Sequence, residues 1–598
     1  AISFSPMPPR KAVTIRVVIA SAAQILLGLL LVGHLVTSQA AQDSPPRSES
    51  AADSAFRAQA KEFIEAELRL YPERATALGD HRYDNQLADL SPERSQIMIR
   101  HARRWLKTFR GDDSSALSLA NEADREWLIA QVDGELLRIE QLRSYEREPE
   151  LYLPTSAINS LIKREFAPAE VRMRSVTARE VAALKNLDAA RRVLKPALTP
   201  KVAIDIALQQ MPGTLGFFRN DVPAAFAKVG DGPDHRAFTK ANATLAAAIE
   251  DYAQWLKDDL MPRSAGSYAI GADAYRRMLN DADMVDLPLA KLEQVGETEL
   301  ARLHDDFKKT AAAIDPKRSP AEVVQSLTKT HPDADKVIPA VASGLAEIRA
   351  YVNAHHIVTI PSDIMPMVRE TPPYARATTF ASMDSPGPFE KSTEAFFYVT
   401  LPDPSWPDEK KEQLLALYSP TSISDISTHE VYPGHYVQFL NNRLNPDVVR
   451  LVYHSGADVE GWGLYCEQMM VDEGLHGGDP KYRLAVLQAA LMRACRYLVG
   501  IRMHTRGMTV EQVATFFQDN AYQTPHNAMV EALRGTGDPG YLRYELGKLM
   551  ILKLRDDVRL KQGAAFDLGK FHDAFLKQGA IPIKLIRRAM LGSDGPLL

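Results

Sequence analysis

Past residue 50, apolar residues recur at three- and four-residue steps in segment after segment, and this period constrains the fold more than any other feature. Between 55 and 70 it places Phe56, Ala60, Phe63, Ile64 and Leu68 on one helical face. Over 123–142 it does the same with Trp127, Leu128, Ile129, Val132, Leu136 and Ile139. The spacing predicts further helices at 179–196, 236–260, 287–314, 320–330 and 334–354, with Pro/Gly breaks near 211–216, 230–233, 262–267 and 315–319. One stretch departs from the pattern. Between 361 and 407 prolines are frequent, and the run from Ala395 to Leu401 is short, aromatic and β-branched, which predicts a strand. From Lys410 helices resume to the end. The expectation is a mainly α protein with a small β-sheet upstream of the candidate site, an N-terminal helical half at 55–270 and a catalytic half at 271–598.

The N-terminus has a different character. Arg10, Lys11 and Arg16 precede an apolar run over 17–36, then Ser38-Gln39-Ala40-Ala41 and a polar linker. That is the three-part layout of a secretory signal over 1–41, with a linker at 42–54, although the apolar run also approaches the length of a membrane anchor. Gly28, Gly33 and His34 weaken the anchor reading, so no stable membrane insertion is expected after cleavage, and the mature chain is expected in the periplasm or outside the cell. No cysteine stands beside the site for lipidation. The two cysteines, Cys466 and Cys495, lie in apolar helical stretches, and spacing alone leaves them free or paired. With 71 basic and 76 acidic residues the net charge is −5, which gives no basic excess for a nucleic-acid partner.

The chemistry-bearing segment is His429-Glu430-Val431-Tyr432-Pro433-Gly434-His435. Hydrolytic zinc takes three His/Glu/Asp ligands, an open position and a nearby base. In H-E-x-x-H the two histidines share a helix face, but here they are six residues apart. On a regular helix six residues leave the second imidazole about 120° round and about 9 Å along the axis. Pro433-Gly434 offers a way round this, because proline ends the ladder and glycine accepts unusual dihedrals. The candidate set is His429 and His435 as ligands, Glu430 as the base activating water, and Glu460 as third ligand from a second helix. Gly461 and Gly463 beside Glu460 allow close packing, and Asp458 and Glu467 are placed to orient the imidazoles. On residue chemistry alone a satisfied polar cluster at a helix break is as good a reading.

The run His429-Glu430-Val431-Tyr432-Pro433-Gly434-His435-Tyr436-Val437-Gln438 resembles the H-E-x-x-P-G-H-x-x-Q signature of the bacterial family called domain of unknown function 885. Glu460-Gly461-Trp462-Gly463-Leu464-Tyr465-Cys466-Glu467 is similar to its E-G-W-x-x-Y-x-E element. Residues 75–84, 386–390, 396–400 and 539–547 resemble further motifs in the same order, so the likeness covers about 55–595. It implies a large zincin-like helical fold with a deep cleft, Zn2+ as cofactor and a peptide as substrate. Carried over by position, His429, His435 and Glu460 are metal ligands and Glu430 the general base. The 396–400 strand, with Phe397, Tyr398 and Val399, is the expected edge for a substrate backbone. The chain departs from the family where Gly500 stands in place of an Asp.

The expected activity is peptide-bond hydrolysis, with Glu430 moving a proton from water to the leaving amine and Tyr544 donating to the oxyanion. Tyr541 and His526 are alternatives to Tyr544. Arg493, Arg496 and Arg534 are candidates for holding a substrate carboxylate, and His454 and His476 are substitute ligands. Rival readings are a metal-dependent amidase on cell-envelope peptides and a non-catalytic peptide-binding protein, the latter disfavoured because binding needs no base. Oligomeric state is not encoded in any of these motifs.

Overall fold

The computed structural model describes residues 50–372, 376 and 379–598 of the chain. The leader expected at 1–41 lies outside the described residues, as does most of the linker. The first helix, Ala51–Leu70, begins inside that linker stretch. Ser50 caps it, its side chain accepting from the Asp53 N–H and satisfying one free donor of the first turn.

The protein is mainly helical. Leu119–Leu136, Ala169–Val193, Pro233–Trp255, Leu289–Ile314, Pro320–Thr328 and Val337–Ala354 are all helices, as their periodicity predicts. The break expected near 211–216 is not there. Helix Lys201–Gly216 runs through Pro212 and continues into a wider turn at Phe217–Asp221. Met211, Phe217 and Phe218 are buried, and burial at about 2 kcal/mol per large apolar side chain outweighs the roughly 3 kcal/mol that an internal proline costs.

Two apolar clusters hold the described residues together. The buried members of one all lie within residues 98–260, with Leu70, Leu87 and Leu90 packed against them. The other joins Phe63, Trp105 and Trp127 of the N-terminal helices to Trp462, Leu491 and Ile586 of the C-terminal ones. The N-terminal helices therefore complete the core of the half that carries the motif, and residues 50–598 form one unit. Helix Pro480–Arg506 is long and apolar enough to cross a membrane, yet it runs through this core against Leu289–Ile314, with Tyr482, Leu491 and Tyr497 buried. Cys466 and Cys495 are both buried free thiols.

The proline-rich stretch contains three short strands, β1 (Met367–Glu370), β2 (Ala381–Asp384) and β3 (Phe396–Val399). β3 is the central strand, parallel to β1 and antiparallel to β2. The expectation that β3 offers a free edge through Phe397, Tyr398 and Val399 is therefore corrected. Its ladder is occupied on both sides, and Phe397 and Val399 are buried in the core. The outer strands are β1 and β2, and β2 also contacts the helix that carries His429.

Candidate metal centre

The motif does not occupy one helix. Helix Pro420–Glu430 stops at the glutamate, Val431 leaves helical dihedrals, the Tyr432–Pro433 peptide is cis, and a new helix, His435–Arg443, starts on the second histidine. This turn removes the mismatch that six residues of regular helix would impose. The two imidazole centroids lie 4.7 Å apart at 85°, and donor atoms of His429, Glu430 and His435 all fall within 4.8 Å of one another. The turn is tight enough to demand glycine. The Gly434 N–H donates to the Thr428 carbonyl at 3.1 Å, and a Cβ at 434 would stand 1.8 Å from the His429 carbonyl oxygen. Trp462 fixes the turn from behind, its indole N–H donating to the Pro433 carbonyl at 3.0 Å.

Helix Gly456–Asp472 brings Glu460 to the same point. Its Oε2 is 3.5 Å from His435 Nε2 and 3.7 Å from His429 Nε2. Both separations are too long for good hydrogen bonds, so these three groups converge without bonding one another. Close approach of the helix depends on Gly463, where a Cβ would lie 2.6 Å from His429 Cε1.

The imidazoles are held unequally. His429 donates from Nδ1 to Glu467 Oε1 at 2.7 Å, which leaves Nε2 facing Glu460. Arg493 stands 3.7 Å from the same Glu467 oxygen. Asp458 does not orient His435 as expected. It accepts from Gln438 Nε2 at 2.6 Å, because Gln438 is the residue that the His435–Arg443 helix turns toward it, and His435 Nδ1 is buried without a hydrogen-bond partner among the described residues. The electrostatics favour added positive charge. Burial opposes charge on His429, but the Glu460 and Glu467 carboxylates outweigh it and raise this imidazole to about 10. Burial works against ionised Glu460 too, yet His429 and His435 hold it well below the usual carboxylate range. Asp425 is pushed well above its ordinary value, first by burial and then by Glu467. His429, His435 and Glu460 can hold a cation, with Glu430 beside it.

The other candidates separate cleanly. Tyr544 stacks on His429, ring centroids 6.4 Å apart, and its hydroxyl accepts from Arg534 at 2.9 Å. Tyr541 donates to Glu531, and His526 is exposed at the start of a helix. Arg496 forms a two-pronged pair with Glu531, both contacts 2.7 Å, so its expected role in binding a substrate carboxylate is corrected: its guanidinium is already engaged. His454 meets Asn442 and His476 meets Ser424, so neither is turned to Glu460. His504 is a core histidine bonded to the Gly535 carbonyl. At Gly500 a Cβ would be 3.1 Å from the Tyr541 Cβ and 3.3 Å from the Tyr275 hydroxyl, so this position is packed between those tyrosines. Two contributors escape the sequence reading. Asp425 sits one helical turn before His429, a spacing that points to a shared face. The Trp462 bond to Pro433 has no sequence signal beyond the residue type.

Fold and site together define a helical protein with a His–Glu–His–Glu constellation of metal-ligand type at a helix break. The chain belongs to the family described as bacterial protein of unknown function (DUF885), which it matches over residues 72–590. Two solved structures share the fold. A "putative lipoprotein of unknown function" from Shewanella oneidensis is 24% identical with a TM-score of 0.75. A "putative lipoprotein" from Colwellia psychrerythraea is 18% identical with a TM-score of 0.76. Each comparison covers 90% of this chain and 99% of the other. No curated protein matches the sequence.

Proposed function

We propose that this protein is an exported zinc-dependent peptidase acting on short peptides, its helical fold of the zincin-like, cleft-bearing kind. The observation that carries this reading is the distance of Glu460 from the two imidazole nitrogens. Tetrahedral zinc with bonds of 2.0–2.2 Å sets its ligands about 3.3–3.6 Å apart. Glu460 Oε2 stands 3.5 and 3.7 Å from the two imidazole Nε2 atoms. The two histidines and one glutamate, with a further carboxylate at Glu430, match the donor set of hydrolytic zinc.

Zinc in this set supplies Lewis acidity toward the scissile carbonyl and toward water. Glu430 takes the proton of the attacking water and passes it to the leaving amine. Tyr544, stacked on His429, donates its hydroxyl hydrogen to the developing oxyanion. Glu467 keeps His429 in the tautomer that presents Nε2. An extended substrate adds its backbone along β2, the outer strand that reaches the His429 helix, in place of the occupied β3. Export is supported by the basic–apolar–small layout of 1–41 and by the description of both structural neighbours as lipoproteins.

A peptide library incubated with zinc-loaded protein tests the reaction. Cleavage by the wild type and its loss in Glu430→Gln, with zinc retained, is the expected outcome. Equal cleavage by both proteins contradicts the role of Glu430, and no cleavage by either contradicts the peptidase reading.

A further inference from the structure

A cavity of about 530 Å³, within the range that holds small ligands, lies beside Arg534, the hydrogen-bond partner of Tyr544. Val202, Ile206, Val530 and Leu533 give it an apolar lining, and Arg534 opens onto it. Of the three arginines on neighbouring helices, two are engaged. Arg493 faces Glu467, and Arg496 is locked to Glu531. Among the described residues no carboxylate is in ion-pair contact with Arg534, although Glu531, held by Arg496, attracts it from further off. The contacts of Arg534 are the Tyr544 hydroxyl at 2.9 Å and the face of Tyr541, 5.6 Å from guanidinium carbon to ring centroid. Arg147, Glu148, Glu150 and Asp538 bring mixed charge to the same lining, but Arg534 is the cation that meets the metal-type cluster, through Tyr544.

We infer that Arg534 receives the free C-terminal carboxylate of the substrate, which makes the protein a carboxy-terminal exopeptidase with the cavity as the pocket for the released residues. The inference rests on the peptidase reading above. A guanidinium fork without a carboxylate in ion-pair contact, facing a partly apolar cavity, is an arrangement that recognises a carboxylate with two parallel hydrogen bonds. The Tyr544 ring contact and hydrogen bond keep the guanidinium within about 12 Å of the His429 ring, a gap that one to three residues bridge at about 3.5 Å each. Tyr544 then stands between the scissile bond and the terminal carboxylate, so one hydroxyl serves the oxyanion and reports on C-terminal binding.

The test compares N-acetylated hexapeptides in matched free-acid and C-terminal amide forms. Binding is measured by calorimetry to zinc-loaded Glu430→Gln, which is expected not to turn them over, and cleavage is measured with the wild type. The acid should bind about 10- to 100-fold tighter than the amide, the value of a charge-assisted pair. Adding Arg534→Ala should bring the ratio close to one, and Arg534→Lys should retain part of it, which separates loss of charge from misfolding. Equal binding of acid and amide, a ratio unchanged in Arg534→Ala, or no binding of either peptide overturns the inference. Cleavage of acid and amide alike leaves the peptidase reading standing and removes the exopeptidase one. A persistent acid preference without any cleavage leaves Arg534 as the carboxylate site and removes the peptidase reading, and the exopeptidase one with it.

Discussion

Gly463→Ala puts a methyl group against the His429 ring, and the structure fixes how much room it lacks. The new Cβ would lie 2.6 Å from Cε1, 2.8 Å from Nε2 and 2.9 Å from Nδ1. Ordinary contact needs about 3.5–4.0 Å, so the ring or the helix must yield by roughly 1 Å. The ring is tethered by Glu467 at 2.7 Å and has Tyr544 beside it. Metal–ligand distances tolerate only about 0.2 Å, so a shift of that size should weaken zinc binding by about 100-fold or more. Stability moves less. Overpacking costs about 1–3 kcal/mol, and replacing a mid-helix glycine returns up to about 1 kcal/mol, which leaves a net loss of about 0–3 kcal/mol. Chelator competition measures the affinity and thermal melting measures the fold. A folded Gly463→Ala protein that binds zinc within about threefold of wild type would refute the proposed arrangement.

Three further outcomes follow from the same contacts. Glu467→Gln keeps the size of the side chain but removes the charge behind His429, and zinc affinity should fall about 10- to 100-fold by chelator competition with little change in the far-ultraviolet circular dichroism. Trp462→Phe deletes the bond to the Pro433 carbonyl and part of a stack on Phe575, and denaturant unfolding should show a loss of about 2–3 kcal/mol. His81 lies between Asp84 and Glu390, each at 2.9 Å, and although burial opposes its charge these carboxylates raise it above the ordinary histidine value. A raised histidine contributes its full stability below the unfolded value of about 6.5 and loses it as pH rises through the folded one. The melting-temperature gap between wild type and His81→Gln should therefore be widest near pH 6 and shrink toward pH 9; a gap that widens with pH contradicts the clamp.

Much of this architecture is legible in the sequence because it is local. The three- and four-residue apolar period locates the long helices, and the Phe396–Val399 run marks the central strand. The Pro433-Gly434 pair announces the turn that lets His429 and His435 converge. What the sequence hides is decided between elements far apart in the chain. β1 and β2 lack the aromatic and β-branched run that marks β3, so nothing marks β3 as flanked on both sides. Arg493, Arg496 and Arg534 look equivalent as residues, and only packing ties two of them to Glu467 and Glu531. Asp458 similarly looks like a partner for His435, yet Gln438 takes that carboxylate. Pro212 reads as a break because a residue-by-residue rule cannot weigh the burial of Met211 and Phe217 against it.

Diffraction from zinc-loaded crystals at the zinc absorption edge tests the central proposal most directly. The expected result is one strong anomalous peak about 2.0–2.2 Å from His429 Nε2, His435 Nε2 and a Glu460 oxygen, with Glu430 beside it but not bound. A peak elsewhere, or no peak there at full zinc occupancy in solution, would contradict it.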